Sequence, residues 1–158
     1  MAVSTHIPTK LMLAQGKLTA NQNVNFNTDT FKIMAVVAGS GRPSCTSSGI
    51  QFVADVTGTN AEDTNIGTRI TLAGVSFAFD GGGTACDWSF STITYAQNAS
   101  DDGLTRYFII YDETQSSATD ATRPVVALID PGQLISVVNG SLTIQSPTGG
   151  LIQFTGGG

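Results

Sequence analysis

The chain has 158 residues, enough for one domain whose core needs neither disulfides nor a metal. It carries 7 lysines and arginines against 12 acids, a formal charge of −5, and only 12% of its residues are charged. That balance argues against wrapping a polyphosphate, which is held by cations.

No run of apolar residues is long enough to cross a bilayer as a helix. The N-terminus, MAVSTHIPTKLMLAQG, lacks the apolar stretch of a secretory signal, so synthesis in the cytoplasm is expected. Glycine is abundant (18 residues), and β-branched residues outweigh strong helix formers, which favours strands and turns. Lys10, Lys17, Lys32 and Arg42 all precede Cys45, with Asp29 the one acid among them, so a mildly basic front end leads an acidic body.

Residues 1–22 read as an extended arm: polar, with one apolar patch at Leu11, Met12 and Leu13 set between Lys10 and Lys17. Residues 23–158 read as a single β domain. FKIMAVVAG, from Phe31, has the continuous apolar run of a buried strand. SGRPSCTSSG is a loop, and IQFVADV alternates as a strand with Ile50, Phe52, Ala54 and Val56 on one face. TGTNAEDTNIGT is polar, with room for one short helical turn.

The next stretch, ITLAGVSFAFDGGGTACDWSFSTITYA, alternates into a glycine cluster and out again. Its parity changes at Ala73-Gly74, as at a β-bulge, and again before Ile93. TRYFIIYDE and RPVVALID are strongly apolar strands with Asp-rich ends suited to turns. LISVVNGSLTIQ has the pattern of a hairpin, with Asn139-Gly140 as a type I′ turn. SPTGG then bends the chain into LIQFT. Short strands with turn signals between them predict an all-β fold, a β-sandwich of jelly-roll-like form with an extended N-terminal arm.

Residues able to do chemistry are few. DGGGTA lacks the Lys-Ser/Thr of a phosphate-binding loop and opens no helix. Trp88, Tyr95 and Tyr107 would make a sugar-stacking platform if exposed together; Trp88 shares its face with Cys86 and Phe90, which places it in the core. Asp101-Asp102 and Asp112-Glu113 are adjacent pairs whose members point to opposite faces of a strand, unlike the facing carboxyls of a glycosidase. His6, the single histidine, lies on the arm, far from any nucleophile turn. NASDDG and DETQSSATD hold oxygen ligands without the spacing of an EF-hand. Cys45 and Cys86 are expected as free thiols, with a disulfide between them as the alternative. The sequons at Asn98 and Asn139 carry no weight without secretion. The expectation is a non-enzyme with no cofactor and no metal.

ANQNVNFNTDTFKIMAVVAG, FVADVTGTNAEDTN, TRITLAGVSFAFDG and TRYFIIYDETQSSATDATRPVVALID together resemble a group of small structural proteins of tailed bacteriophages. Some head decoration (cement) proteins of this size are jelly rolls that sit on the capsid exterior and bridge major capsid subunits. The resemblance implies a virion protein with no catalytic residues. Its expected partners are the major capsid protein and further copies of itself, as a dimer or trimer, and neither nucleic acid nor membrane. The arm residues Lys10, Leu11, Met12, Leu13 and Lys17 are the expected docking segment, the alternative being that Leu11 to Leu13 form an edge strand of the body or of another copy. The alternatives are a tail or baseplate component, and a carbohydrate-binding module for host attachment.

Overall fold

A computed structural model describes residues 4–6, 24–37, 39, 52–57, 61–79, 85–114, 119–147 and 150–155. Among these, strands dominate and the one helix is five residues long, so the chain is all-β, as its alternation predicts. The strands are β1 (Ser4–His6), β2 (Phe31–Val37), β3 (Ile70–Thr71), β4 (Ser76–Phe79), β5 (Ala85–Ser89), β6 (Ile93–Tyr95), β7 (Thr105–Asp112), β8 (Val125–Asp130), β9 (Leu142–Ile144) and β10 (Ile152–Thr155). Helix α1 spans Val53–Thr57.

A five-stranded sheet runs in the order β1-β8-β7-β2-β3, a three-stranded sheet in the order β10-β5-β4, and β6 pairs with β9. Every pairing is antiparallel. The centre of the large sheet is held by Ile33 opposite Ile110 and Ala35 opposite Phe108. β8 is buried at all six positions, and β7 at seven of eight. The continuous apolar runs of these two strands follow from that, since each face of the sheet is covered.

One face, with Phe31, Ile33, Ala35, Phe108, Ile110 and Ile129, packs against Trp88, Phe90, Ile93, Tyr95 and Ile152. The opposite face, with Met34, Val36, Tyr107, Ile109, Tyr111 and Leu128, packs against Val53 and Val56 of α1. Trp88 is fully buried, as its face-mates predict; its ring meets Phe31 edge-on with centroids 4.9 Å apart, and its Nε1–H donates to the Phe26 carbonyl at 3.2 Å. An indole that deep requires such an acceptor.

Four local expectations are corrected. IQFVADV is not a strand: Val53–Thr57 is helical, and the buried pair Val53 and Val56 follows the i, i+3 spacing of a helix face. Its first amides are capped from outside, Val53 N–H donating to the Arg123 carbonyl at 3.0 Å and Ala54 N–H to that of Asp120 at 2.8 Å. The short turn expected in TGTNAEDTNIGT covers residues 64–66 and is not helical.

The parity change at Ala73-Gly74 is not a bulge within one strand. The chain leaves the large sheet after β3 and enters the three-stranded sheet at β4. Gly74 makes the crossing at φ +57°, where a Cβ would stand 2.1 Å from Ser91 Oγ. Likewise β5 and β6 belong to different sheets, which explains the parity change before Ile93.

Asn139-Gly140 does not close a hairpin. Residues 137–140 form a turn in which Gly140 lacks a positive φ, and β9 pairs with β6 rather than with the residues before the turn. Ile135 bridges Thr105 instead. The SPTGG bend does form: Gly150, at φ +79°, lies where a Cβ would meet the Trp88 carbonyl at 2.8 Å.

Of the N-terminal arm, Ser4–His6 is strand β1 on the edge of the large sheet, opposite Asp130, Ile129 and Leu128. Lys10, Leu11, Met12, Leu13 and Lys17 lie outside the described residues, as does Cys45. Cys86 is a partly buried free thiol.

Candidate functional site

Three features gather polar or concave surface. The first is a cluster of ion pairs around Tyr111, at the α1-covered face of the large sheet. Arg69 follows the 64–66 turn and grips Glu62 through Nε at 2.9 Å and Nη2 at 2.7 Å. Its other side grips Asp120, with Nη1 and Nη2 at 2.8 and 2.9 Å. Arg123 reaches the same Asp120 at 2.8 Å and holds Glu113 through Nη2 at 2.8 Å and Nε at 2.7 Å. Lys32 adds a bond to Glu113 at 3.1 Å. Both guanidinium groups lie over the Tyr111 ring, 5.5 and 5.8 Å from its centroid.

Three cations thus face three carboxylates. The hydrogen bonds from Arg69 are the main reason the Asp120 carboxyl is held down at about 2, with burial opposing and Arg123 adding to the effect. Arg69 is raised in turn, first by Asp120 and then by Glu62. Forked, reciprocal pairing of this kind clamps loops together. It ties the turn before β3, the residues after β7 and the loop that caps α1.

The second feature is carboxylate-rich. Asp63, Asp101 and Asp102 bring oxygens from two loops within 4.8 Å of one another. Asp63, almost fully buried, accepts the amides of Asn65 at 3.0 Å and Ile66 at 3.4 Å, and the Thr105 hydroxyl. Asp101 accepts Val137 N–H at 2.6 Å and Gly103 N–H at 3.2 Å. Asp102 accepts Leu104 N–H at 3.1 Å and the Asn65 amide group at 2.9 Å. Burial alone would raise Asp101, but the Val137 amide, the Ser136 hydroxyl and two further amides outweigh it, and the group is lowered. The three offer the oxygen ligands a hard divalent cation takes. Each of them, however, already accepts the bonds that shape its own loop.

The third feature is an open groove of about 480 Å³ beside β8 and β9, lined by Phe108, Ile129, Pro131, Ile135, Leu142 and Leu151 among others. Its volume falls in the range of small-ligand sites, roughly 300–1,000 Å³. Among the described residues its lining is apolar apart from the side chains of Thr143 and Gln145.

The aromatic residues considered for sugar stacking do not form a platform. Trp88, Tyr95 and Tyr107 are all buried, at 0, 2 and 6% exposure. Asp112 and Glu113 are separated in role, as adjacent strand-end residues should be: Asp112 Oδ1 accepts Thr114 N–H at 2.7 Å, and Glu113 belongs to the ion-pair cluster. Asp101 and Asp102 instead join Asp63, from a loop 38 positions earlier in the chain, a meeting that sequence spacing does not announce. The Tyr111 cluster was equally hidden. Apart from Lys32 on β2, its charged members lie in loops, which carry no period.

Comparisons of the chain with family models, with curated proteins and with solved structures gave no match.

Proposed function

We propose that this chain is a non-enzymatic structural protein of a tailed-bacteriophage virion, a decoration protein of jelly-roll type that binds the exterior of the assembled head and bridges major capsid subunits. The segments quoted from the sequence point to a virion. The structural observation that carries the reading is the fate of the charges. Among the described residues, Lys32, Arg69, Arg106 and Arg123 are the cations, and each is ion-paired within the body: to Glu113, to Glu62 and Asp120, to Asp130, and to Glu113 and Asp120. Among the described residues, then, every cation is already satisfied within the body, so none has to be desolvated unpaired at a large protein contact. Such a body is poorly suited to holding a polyphosphate.

The remaining cations of the sequence are Lys10, Lys17 and Arg42. In this reading the segment from Lys10 to Lys17 docks on an acidic shell surface, its lysines steering and Leu11, Met12 and Leu13 supplying buried area. Binding to the mature shell in preference to its precursor stabilises the shell by mass action, and a dimer or trimer on a symmetry axis multiplies the effect. The glycan-binding alternative lacks support from Trp88, Tyr95 and Tyr107, which are buried.

Co-sedimentation with purified empty heads and with purified tails is the test. Saturable binding to heads, lost in a chain lacking residues 7–19 that still folds, is the expected outcome. Binding to tails alone assigns the protein to the tail, and binding to neither overturns the virion reading.

A further inference from the structure

We infer that Asn139 is a site of spontaneous deamidation, a covalent change that loosens the β6–β9 pair as the protein ages. The inference is independent of the function proposed above. Asn139-Gly140 is the one Asn-Gly step in the sequence. Both residues are exposed, in the turn that stands where a hairpin was expected.

The reaction needs the Gly140 nitrogen to reach the Asn139 side-chain carbonyl carbon, and three observations favour that approach. The Gly140 N–H is held only by a long bond of 3.4 Å to the Val137 carbonyl. Nothing lies within 4 Å of where a Gly140 Cβ would stand, and glycine itself has no side chain to obstruct ring closure. The Asn139 carboxamide makes no hydrogen bond among the described residues. Other asparagines are tied down: Asn98 donates to the Asn65 carbonyl and accepts from Ser100, and Asn65 donates to Asp102.

The chemistry balances with water as the only co-reactant. The Gly140 amide gives its proton to base, and its nitrogen attacks the Asn139 carboxamide carbon. The tetrahedral adduct takes up a proton and expels ammonia, leaving a cyclic imide. Water then opens either carbonyl, yielding aspartate from one and isoaspartate from the other. Each product carries a new negative charge. Isoaspartate also inserts a methylene into the backbone shortly before β9, whose pairing with β6 consists of three residue pairs, Leu142–Tyr95, Thr143–Thr94 and Ile144–Ile93. So short a ladder has little reserve against a lengthened lead-in.

The test is peptide mass mapping of the full-length protein after incubation at physiological temperature over a series of neutral to mildly alkaline buffers, folded and in denaturant. The Asn139 peptide is expected to gain the mass of an amide-to-acid conversion before any other asparagine peptide, partly as isoaspartate. Its rate should rise with pH and should be comparable in the folded and denatured chains, and Gly140→Ala should slow it. If folded protein keeps Asn139 intact while denatured protein loses it, the turn protects the residue and the inference is overturned. Earlier reaction at another asparagine overturns it equally.

Discussion

The two faces of the five-stranded sheet are closed by different means. On one, Phe31, Ile33, Phe108 and Ile110 meet Trp88 and the small sheets, and the buried carboxylates of Asp63 and Asp101 accept the amides of Ile66 and Val137 at its edge. On the other, Val53 and Val56 of a five-residue helix cover Met34, Val36 and Ile109, and the rim is made of ion pairs around Tyr111. A short helix has too small an apolar face to seal a sheet alone. The clamps from Arg69 and Arg123 hold the loops that complete the cover. Hydrophobic area with carboxylate-to-amide bonds at the edge closes the first face, and area plus ion pairs closes the second.

The largest break in this comparison comes from Trp88→Ala. It empties the centre of the first face and should cost about 3–5 kcal/mol in denaturant unfolding. The loss should not vary with salt. Arg69→Met attacks the other face, leaving Glu62 and Asp120 without their shared partner. About 1.5–3 kcal/mol is expected, the range for hydrogen bonds to charged groups. Guanidinium and urea unfolding should disagree on the size of this second loss, because guanidinium chloride screens the charges that urea leaves intact.

Acid separates the two faces further. Asp120 is held at about 2, below its ordinary 3.8, so its contribution is complete above the ordinary value and is lost as pH falls between the two. Asp101, also lowered, acts in the same direction. The thermal midpoint should therefore hold down to mildly acidic pH and then drop. Trp88→Ala should leave the shape of that drop unchanged, and Arg69→Met should flatten it. The smallest effect is expected at Tyr95, whose hydroxyl is buried with no hydrogen-bond partner among the described residues and whose ionisation is raised chiefly by that burial. Tyr95→Phe removes a desolvated polar group from the first face. Stability should match or exceed the wild type by up to about 1 kcal/mol, read from the same unfolding curves.

Sequence pattern made the core of the large sheet legible because β2, β7 and β8 are long apolar runs, and no other arrangement hides both faces of such strands. Trp88 was legible from its alternation with Phe90. Helix α1 was not: over seven residues, Phe52, Ala54 and Val56 satisfy a strand period as well as Val53 and Val56 satisfy a helical one, and tertiary capping by the 119–124 loop decided between them. The Asn139-Gly140 hairpin failed for a related reason. The strand before the turn had a better partner in Thr105, and the strand after it one in β6. Both polar clusters escaped because most of their charged members come from loops, which carry no period. The meeting of Asp63 with Asp101, or of Arg69 with Asp120, exists only once the sheets have brought those loops together.

The position of β5 bears on how a ribosome can deliver this protein. β5 sits between β4 and β10, and Leu151 N–H donates to the Trp88 carbonyl at 2.7 Å. Residues 151–155 are translated more than sixty positions after Trp88, and β1 waits similarly for β8 before its edge is paired. Throughout that interval the nascent chain displays its largest apolar side chain with one flank open. Chains emerge from the N-terminus onward, and partly sealed β intermediates of this kind are the ones that associate with each other. A message truncated shortly before codon 151 would therefore yield no smaller working protein, only a substrate for chaperones and proteases.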